Sequence, residues 1–414
     1  MNRAVKAYLL AVELEADSEA IYHKTFRVTG SATRIPRVLS LLEFIKRHQW
    51  AVNAFLPLLS WCYALIFAPT FFLFRAGRIA LQMRARVCID VELAHGKDLY
   101  LATSSGTNLA FLPQGASTPD FIITTPFRGG INAEVLPDAP RLPVLNFVHL
   151  SDIAWAWGRA VCANLYLLRE AGGARVLWGY TALDWFLIYR VMLKLQPKAI
   201  WISNQSDRWL ILASSVPGSS VNLVQHGNLF YSCENGEKLF YTRSTKLKNV
   251  KSIFTIDSYS KILFSKYIDT SQVKFSLINV LLKIGDWREV EFNTVKILLI
   301  GGSGDLMFYI KLIEAINEKL DMNHDIAIRH HPLQRTRIGN SKIWETENSD
   351  PIPAADLVVT YGSSIDAKIK ETLKARIVTY VWSDSVKFSH IAEEINTEAL
   401  EVISKAKFHH FTRG

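Results

Sequence analysis

The sequence predicts an α/β protein in which two doubly wound parallel sheets follow one another along the chain. From about residue 86 onward, short apolar runs alternate with stretches of helical periodicity. Many of these runs end in glycine or polar residues, as strands do where they enter loops. A polar segment, 283–294, separates two series of such runs. The length of 414 residues also fits two domains better than one.

The first series contains five predicted strands, which share an apolar centre and a polar end. They are DFIITTPF (120–127), RVLWGYT (175–181), KAIWISN (198–204), VNLVQHG (221–227) and SIFTIDS (252–258). Helical stretches such as DWFLIYRVMLKLQ lie between them. This alternation predicts parallel strands that are covered by helices on both faces of the sheet.

The second series is shorter and begins at residue 295. Its predicted elements are the strand VKILLIGGSGD (295–305), the helix LMFYIKLIEAINEKL (306–320), the strands DIAIRHHP (325–332) and ADLVVTYGSS (355–364), the helix IDAKIKETLKA (365–375) and the strand RIVTYVW (376–382). The predicted division of the chain is therefore an N-terminal region at 1–85, a first α/β domain at 86–285 and a second at 286–414.

The N-terminal region contains an uncharged stretch, Trp50–Phe74, that is long enough to cross a bilayer. Pro57 and Pro69 should kink or break a helix here. We therefore expect a re-entrant or interfacial segment rather than a clean span, and a pair of buried core helices is the alternative. Basic residues flank the stretch on both sides: Lys46, Arg47, Arg75 and Arg78.

The net charge of +9 and the pI near 9.2 favour an anionic partner. Many of the arginines and lysines lie near the apolar stretch, where the anionic lipid of the cytoplasmic leaflet would attract them. The expected partner is thus the cytoplasmic face of the membrane and not nucleic acid, for which no motif is present. The four cysteines form no metal-ligand spacing, so neither a metal nor another cofactor is predicted.

Two glycine- or serine-rich turns follow strands of the second series. In GGSGD, the backbone N–H groups of Gly302, Ser303 and Gly304 could approach a phosphate or a sugar. In YGSS, Ser363 and Ser364 precede a predicted helix and could bind an anion there. A tight turn without a ligand and a helix N-cap are the respective alternatives.

The motif RHHP follows another strand of the same series. Pro332 restricts the backbone of His331 to extended geometry, so the imidazole is aimed in one direction. A histidine can donate to a phosphate or act as an acid and base near neutral pH. Because parallel strands end at one edge of their sheet, we expect His331, Arg329 and the serine pair to face the same anion.

The first series carries a second histidine after a strand, in the motif QHG. His226 is the first candidate for a general base, and Asp207 is the second. A loop histidine that only bonds to backbone is the alternative for His226. Four further residues in these loops are predicted to lie on the acceptor side: Asn204, Gln225, Gly227 and Glu234.

At this point the motifs resemble those of a known group of enzymes. RHHP with YGSS about 30 residues later is similar to the HP and serine motifs of bacterial GT-B glycosyltransferases with cytidine-activated donors, including capsular and lipooligosaccharide sialyltransferases. LVQHG resembles the QHG motif of capsule polysaccharide biosynthesis proteins. The sialyltransferases carry an acidic pair before a glycine, whereas this chain has only ENG, at Glu234–Gly236.

The resemblance implies two Rossmann-like domains and a metal-independent glycosyltransferase of surface polysaccharide synthesis. A nucleotide-sugar donor, linked to CMP as in this family, would be held by His331, Pro332, Ser363 and Ser364, and a glycan or lipid-linked acceptor by the first domain. HP with a downstream serine pair also occurs in CDP-glycerol glycerophosphotransferases, which is one alternative. A non-catalytic component of a polysaccharide assembly complex is another, and a nicotinamide dehydrogenase is a weaker third.

Overall fold

The computed structural model describes most, but not all, of the chain. The described residues are 2–26, 58, 60–86, 89–103, 118–125, 139–171, 173–203, 208–225, 246–255, 259–278, 284–291, 293–300, 306–329, 338, 343–346, 351–360, 375–379 and 388–411. They belong to two compact units: the first comprises 2–21 and the described residues from 58 to 278, and the second comprises 22–26 and those from 284 to 411.

Seven parallel strands form the sheet of the first unit, in the order β3–β2–β1–β4–β5–β6–β7. Their bounds are β1 Asp98–Ala102, β2 Phe121–Thr124, β3 Arg141–Pro143, β4 Ala199–Ile202, β5 Ser220–Val224, β6 Val250–Thr255 and β7 Lys274–Leu277. The strand order reverses at β1, because the chain builds β2 and β3 on one side and β4 to β7 on the other. The predicted doubly wound parallel sheet is therefore confirmed for this unit.

Six described helices accompany this sheet. They are α1 Arg3–Phe26, α2 Ser60–Gln82, α3 Leu150–Tyr166, α4 Ala182–Leu195, α5 Arg208–Ser215 and α6 Tyr259–Phe264. The helix α4 is apolar on nearly all sides and is buried along most of its length. It packs against α3, and α3 packs against α2. Tyr8 of α1 is fully buried against the rings of Trp185 and Phe186.

One predicted strand of the first series is wrong. The run RVLWGYT lies in a 3-10 helix, Gly173–Thr181, which leads into α4. A short apolar run fits a buried strand and a buried helical turn equally well, so its length alone could not decide. Gly179 lies so close to Asn164 of α3 that a Cβ would stand 2.2 Å from Asn164 Oδ1. This close helix contact, rather than strand pairing, explains the glycine.

Of the predicted kink or break at Pro69, the break does not occur, but the helix is distorted there. The stretch from Ser60 to Gln82 is one helix, with a π-helical turn at Tyr63–Phe67 directly before Pro69. The N–H of Ala68 donates to Tyr63 O, five residues back. This wider turn accommodates a residue that lacks a backbone N–H and would clash with an ordinary turn. Pro57 lies outside the described residues.

The helix α2 is long and apolar enough to cross a membrane by length and composition alone, and 28% of its most apolar window is buried. Such a helix, when single, is weak evidence for a span. Within the predicted segment 50–74, the structure therefore shows a helix from Ser60 onward, and one side of this helix packs on the first unit.

The second unit contains a five-stranded parallel sheet of order β11–β10–β9–β13–β14 and a two-stranded parallel pair, β12–β8. The bounds are β8 Ile284–Gly285, β9 Val295–Ile300, β10 His324–Arg329, β11 Trp344–Thr346, β12 Ile352–Pro353, β13 Leu357–Thr360 and β14 Arg376–Thr379. Its described helices are α7 Leu306–Lys319 and α8 Phe388–Phe411. The predicted helix at 365–375 falls, except for its last residue, outside the described residues.

Both faces of this sheet are covered, as its alternating side chains require. Ile297 and Leu299 of β9 pack toward Ile316 and Ile395 of the two helices. Leu298 and Ile300 pack on the opposite face, in a cluster that also contains Trp287, Ile352 and Val358. The order again reverses, at β9, so the second predicted doubly wound sheet is confirmed.

The segment 283–294 is more than the polar linker that the sequence suggests. Its first residues form β8, which pairs with β12. Asp325 of β10 accepts hydrogen bonds from Trp287 Nε1, at 2.8 Å, and from Arg288 Nε, at 2.7 Å. The segment is thus attached to the second unit by strand pairing and by a carboxylate.

Candidate active site

The three predicted donor motifs leave the second sheet from neighbouring strands at the same level. Arg329, the last residue of β10, pairs with Ile300, the last residue of β9. On the other side of β9, Val359 pairs with Leu299, so Thr360 ends β13 level with Ile300. The chain continues from these three ends into GGSGD, RHHP and YGSS. One sheet edge, which we call the carboxyl edge of the second sheet, therefore gives rise to all three motifs.

This edge is also where the strand order reverses, between β9 and β13. In doubly wound sheets ligands bind outside the carboxyl ends of the strands at such a reversal. The sequence-based expectation that these motifs leave one edge is consistent with the register. The motif residues themselves, Gly302, Ser303, Gly304, His331, Pro332, Ser363 and Ser364, lie outside the described residues.

Arg329 is the one predicted donor residue whose position is described. Its side chain is buried, with 8% of the residue exposed, and its Nη1 donates to Pro351 O at 3.4 Å. Pro351 directly precedes β12. A guanidinium is rarely buried at a strand end without an anionic or carbonyl environment. It places fixed positive charge just before His330 and His331 in the chain.

The carboxyl edge of the first sheet is lined by buried polar side chains. Five neighbouring strands each end in, or are followed at once by, such a residue: Thr125, Thr103, Ser203, Gln225 and Thr255, in the order of the sheet. Thr125 Oγ1 donates to Ala102 O at 3.2 Å. A buried hydroxyl is costly unless it is hydrogen-bonded, so a row of them indicates an edge built for polar contacts.

The strand order of the first sheet reverses between β1 and β4, where Tyr100 and Ser203 meet. Tyr100 is fully buried, and its hydroxyl lies 2.9 Å from Ser203 Oγ. The predicted residues Asn204 and Asp207 come directly after Ser203 but lie outside the described residues. Arg208 follows them, with 2% of its surface exposed, and its carbonyl accepts from Trp185 Nε1 at 2.9 Å. Ser203 and Arg208, on either side of 204–207, are therefore both buried.

Gln225 is fully buried, and its amide donates to Ser260 Oγ of α6 at 2.9 Å. Its backbone N–H donates to Phe254 O of β6 at 2.9 Å. These bonds connect the end of β5 to the neighbouring strand and helix. These bonds hold Gln225 itself in place at the end of β5. His226, Gly227 and Glu234 lie outside the described residues.

A buried group of charged and phenolic side chains lies among the helices of the first unit. Arg75 of α2 donates from Nε to both carboxylate oxygens of Asp184, at 2.9 and 3.0 Å. Burial raises the pKa of Asp184 to about 6, and the hydrogen bonds and charge of Arg75 offset only part of that rise.

The phenolic side chains of this group are shifted in the same direction. Burial raises the pKa of Tyr63, and nearby Tyr8 and Tyr180 add to the effect. Tyr180 also stacks 5.3 Å below the guanidinium carbon of Arg208.

Sequence reasoning overlooked this group and the threonines that end the strands. The threonines were visible, because LATSS, IITTP, IFTID and VVTYG all place Thr at the end of an apolar run. The ion pair was not visible, since Arg75 and Asp184 are 109 residues apart. Among the described residues, no group of three or more His, Cys, Asp or Glu side chains could hold a metal ion.

The fold and these edges define a protein of two Rossmann-like units, each with its strand order reversed at a polar carboxyl edge. No family model and no curated protein matches the chain. Several solved structures are similar to it at low identity. A structure of the GtfA/B complex is 12% identical over 53% of this chain and 53% of its own, so only about half its length is matched, with a TM-score of 0.33.

Two further structures are matched over more of their length. The lipopolysaccharide outer core galactosyltransferase WaaB is 8% identical over 73% of this chain and 90% of its own, with a TM-score of 0.37. A glycotransferase of kitacinnamycin is 9% identical over 74% and 89%, with a TM-score of 0.40. Similarity of this degree assigns the chain to no family, so its activity must be argued from its own residues.

Proposed function

We propose that this protein is a metal-independent glycosyltransferase of the GT-B type. It moves a sugar from a nucleotide-activated donor, linked to CMP, to a glycan or lipid-linked acceptor of the cell surface. The second unit, from β8 onward, binds the donor, and the first unit, with strands β1 to β7, binds the acceptor. The region 1–85 associates with the cytoplasmic face of the membrane.

The register of the second sheet is the observation that carries this proposal. Three motifs that could each bind an anion weakly on its own start from adjacent strands, within one residue of the same level. Buried Arg329, at the end of β10, supplies positive charge next to the end of β9, from which GGSGD starts. A phosphate that leaves with its nucleotide needs such preorganised donors if no divalent ion is used.

In the proposed reaction, the bond between the anomeric carbon of the sugar and the phosphate oxygen breaks, and the acceptor oxygen forms the new bond to that carbon. His331, the N–H groups near Ser363 and Ser364, and Arg329 stabilise the charge on the departing phosphate. His226 takes the proton of the acceptor hydroxyl, with Asp207 as the second candidate base. Gly302, Ser303 and Gly304 approach the donor through their backbone.

A thermal-shift panel of CMP, CDP, UMP, UDP and GDP tests the donor. A nucleotide at a hundredfold excess over its Kd should stabilise the folded chain by about 2.7 kcal/mol. We expect CMP to raise the Tm most, and His331→Ala to abolish the shift. His324→Gln is the matched control, because His324 lies at the opposite end of the same strand, where its ring contacts Met322 O and Asn317 Oδ1 at 2.9 Å each.

Turnover separates the proposed function from its alternatives. Hydrolysis of CMP-sugars, CDP-glycerol and UDP-sugars should favour CMP-sugars, whereas preference for CDP-glycerol would identify a glycerophosphotransferase. A non-catalytic assembly component would bind nucleotide without hydrolysing any of them. In that case His331→Ala would leave polysaccharide production intact in cells.

A further inference from the structure

The outward face of α2 carries large apolar side chains that no described part of the chain covers. Six of them expose 55% to 71% of their surface: Trp61, Ile66, Phe67, Leu73, Phe74 and Leu81. Single exposed apolar side chains are ordinary, but a continuous row of aromatic and aliphatic ones along a helix marks an interaction surface. We call this row the apolar face of α2.

The opposite face of α2 is fixed to the first unit. Phe72 and Ile79 are buried, and Trp157 of α3 donates from Nε1 to Pro69 O at 3.4 Å. Arg75, the first charge after the apolar stretch, is directed inward onto Asp184. The apolar face therefore contains no charge between Trp61 and Phe74, although the helix as a whole does.

The charge next to the apolar face has one sign. No acidic residue occurs between positions 50 and 89 of the sequence. Exposed Arg78 lies four residues before the end of the helix, and exposed Arg84 lies two residues beyond it. An apolar helix face with cations beside it fits acyl chains under anionic headgroups, because each Lys or Arg near such a surface adds attraction.

We propose that α2 is a one-leaflet anchor that lies in the plane of an anionic bilayer. Its apolar face enters the boundary between headgroups and acyl chains, while Arg78 and Arg84 stay among the headgroups. A span is incompatible with the packing, because lipid on all sides would separate Asp184 from Arg75 and expose both charges to hydrocarbon. Binding of α2 in the plane of one leaflet goes beyond the proposed function. It depends on that function only for the choice of the cytoplasmic leaflet.

Vesicle flotation of the full chain tests the surface without nucleotide or acceptor, so a failed transferase proposal would not affect the result. The sealed vesicles contain either phosphatidylcholine alone or phosphatidylcholine with about 30% phosphatidylglycerol. The second composition carries enough anionic lipid to create a substantial surface potential. We expect flotation with the anionic vesicles, and Phe67→Glu with Phe74→Glu should lower the partition coefficient about tenfold or more. The matched control is Leu277→Glu with Leu400→Glu, since these leucines are 60% and 54% exposed elsewhere.

The proposal is overturned if the double variant of the apolar face floats like the wild type, or if the control variant is lost equally. Circular dichroism and the Tm of both variants show whether they are folded; should the double variant unfold, Leu73→Gln alone replaces it in the same comparison.

A second measurement tests the mode of insertion. Lipids brominated near the headgroup end of their chains should quench part of the tryptophan fluorescence, and Trp61→Phe should remove that part. Bound protein should also transfer to an added population of unlabelled vesicles, because a one-leaflet anchor dissociates whereas a spanning helix does not. Absence of transfer, or quenching only by bromines near the bilayer centre, would overturn the one-leaflet arrangement.

Discussion

Arg75 and Asp184 form a partly buried ion pair in which the guanidinium donates to both carboxylate oxygens. The pair connects α2, the helix with the exposed apolar face, to α4, which is almost wholly buried. Buried pairs of this kind do not necessarily add stability, because desolvation offsets the attraction. Their loss, however, leaves one charge without its partner, so the pair can be tested.

The pH dependence of stability should reveal Asp184. Its pKa is about 6 in the folded chain against an ordinary 3.8, so the folded protein binds more protons than the unfolded chain between these pH values. The free energy of unfolding of the wild type, relative to Asp184→Asn, should therefore fall as pH rises from about 4 to about 6, by at most about 3 kcal/mol. Urea unfolding of both proteins across this range measures the difference, and a constant difference would contradict the raised pKa.

Asp152 should behave in the opposite way. Burial alone would raise its pKa, but hydrogen bonds from Lys194 and from the His149 N–H, at 2.7 Å, lower it below 3.8. The resulting stability is present above the unfolded pKa and is lost as pH falls through the lower folded pKa. At pH 7, Asp152→Asn should cost about 2–3 kcal/mol, because Lys194 and Arg190 lose their carboxylate.

The control for Asp152 is an exposed pair, Lys319 and Glu393, whose side chains are 46% and 59% exposed. Glu393→Gln should change the free energy of unfolding by about 0.5 kcal/mol or less. Equal effects of the two substitutions in urea unfolding would argue against a special role for Asp152.

Gly179 offers a test of the unexpected 3-10 helix. Gly179→Ala places a Cβ 2.2 Å from Asn164 Oδ1, in a buried contact that must shift, and should cost about 1–3 kcal/mol. Gly158→Ala is the matched control: it lies exposed within α3 with open space around it and should stabilise the chain by about 0.5–1 kcal/mol. Adding Asn164→Ala to Gly179→Ala should recover part of the loss, and no recovery would place the strain elsewhere.

Kinetics should separate the proposed roles of the two histidines. Loss of a preorganised donor at the leaving phosphate lowers kcat, so His331→Ala should reduce it about 10²-fold or more. If His226 is the general base, His226→Ala should lower kcat by about 10²–10⁴-fold and flatten the acid limb of the pH profile. An increase in KM with kcat unchanged would instead assign His226 to acceptor positioning.

Apolar runs in the sequence identified eight of the described strands. β2, β4, β9, β13 and β14 lie within predicted runs, and β5, β6 and β10 overlap theirs but start one or two residues earlier. β1, the strand at which the first sheet reverses, was missed, although the polar residues after DLYLA mark its end. Its identity as a strand depends on pairing with β2 and β4, which are distant in the chain.

The candidate site was predictable only as a set of strand ends. Local patterns identify a loop after a strand, but whether two such loops are neighbours depends on strand order and register. RHHP and YGSS are about 30 residues apart, and their strands are separated in the sheet by β9 alone. The Arg75–Asp184 pair had no sequence signal, because burial and partner are both set by tertiary packing.

The pairing of β1 has a consequence for synthesis of the chain. Asp98 of β1 pairs with Ala199 of β4, about a hundred residues later. During translation, one side of this future central strand stays without its neighbour until β4 has left the ribosome. Long-range parallel pairing of this kind is slow and leaves nascent chains prone to aggregation, so yield in recombinant expression should depend on translation rate and chaperone supply.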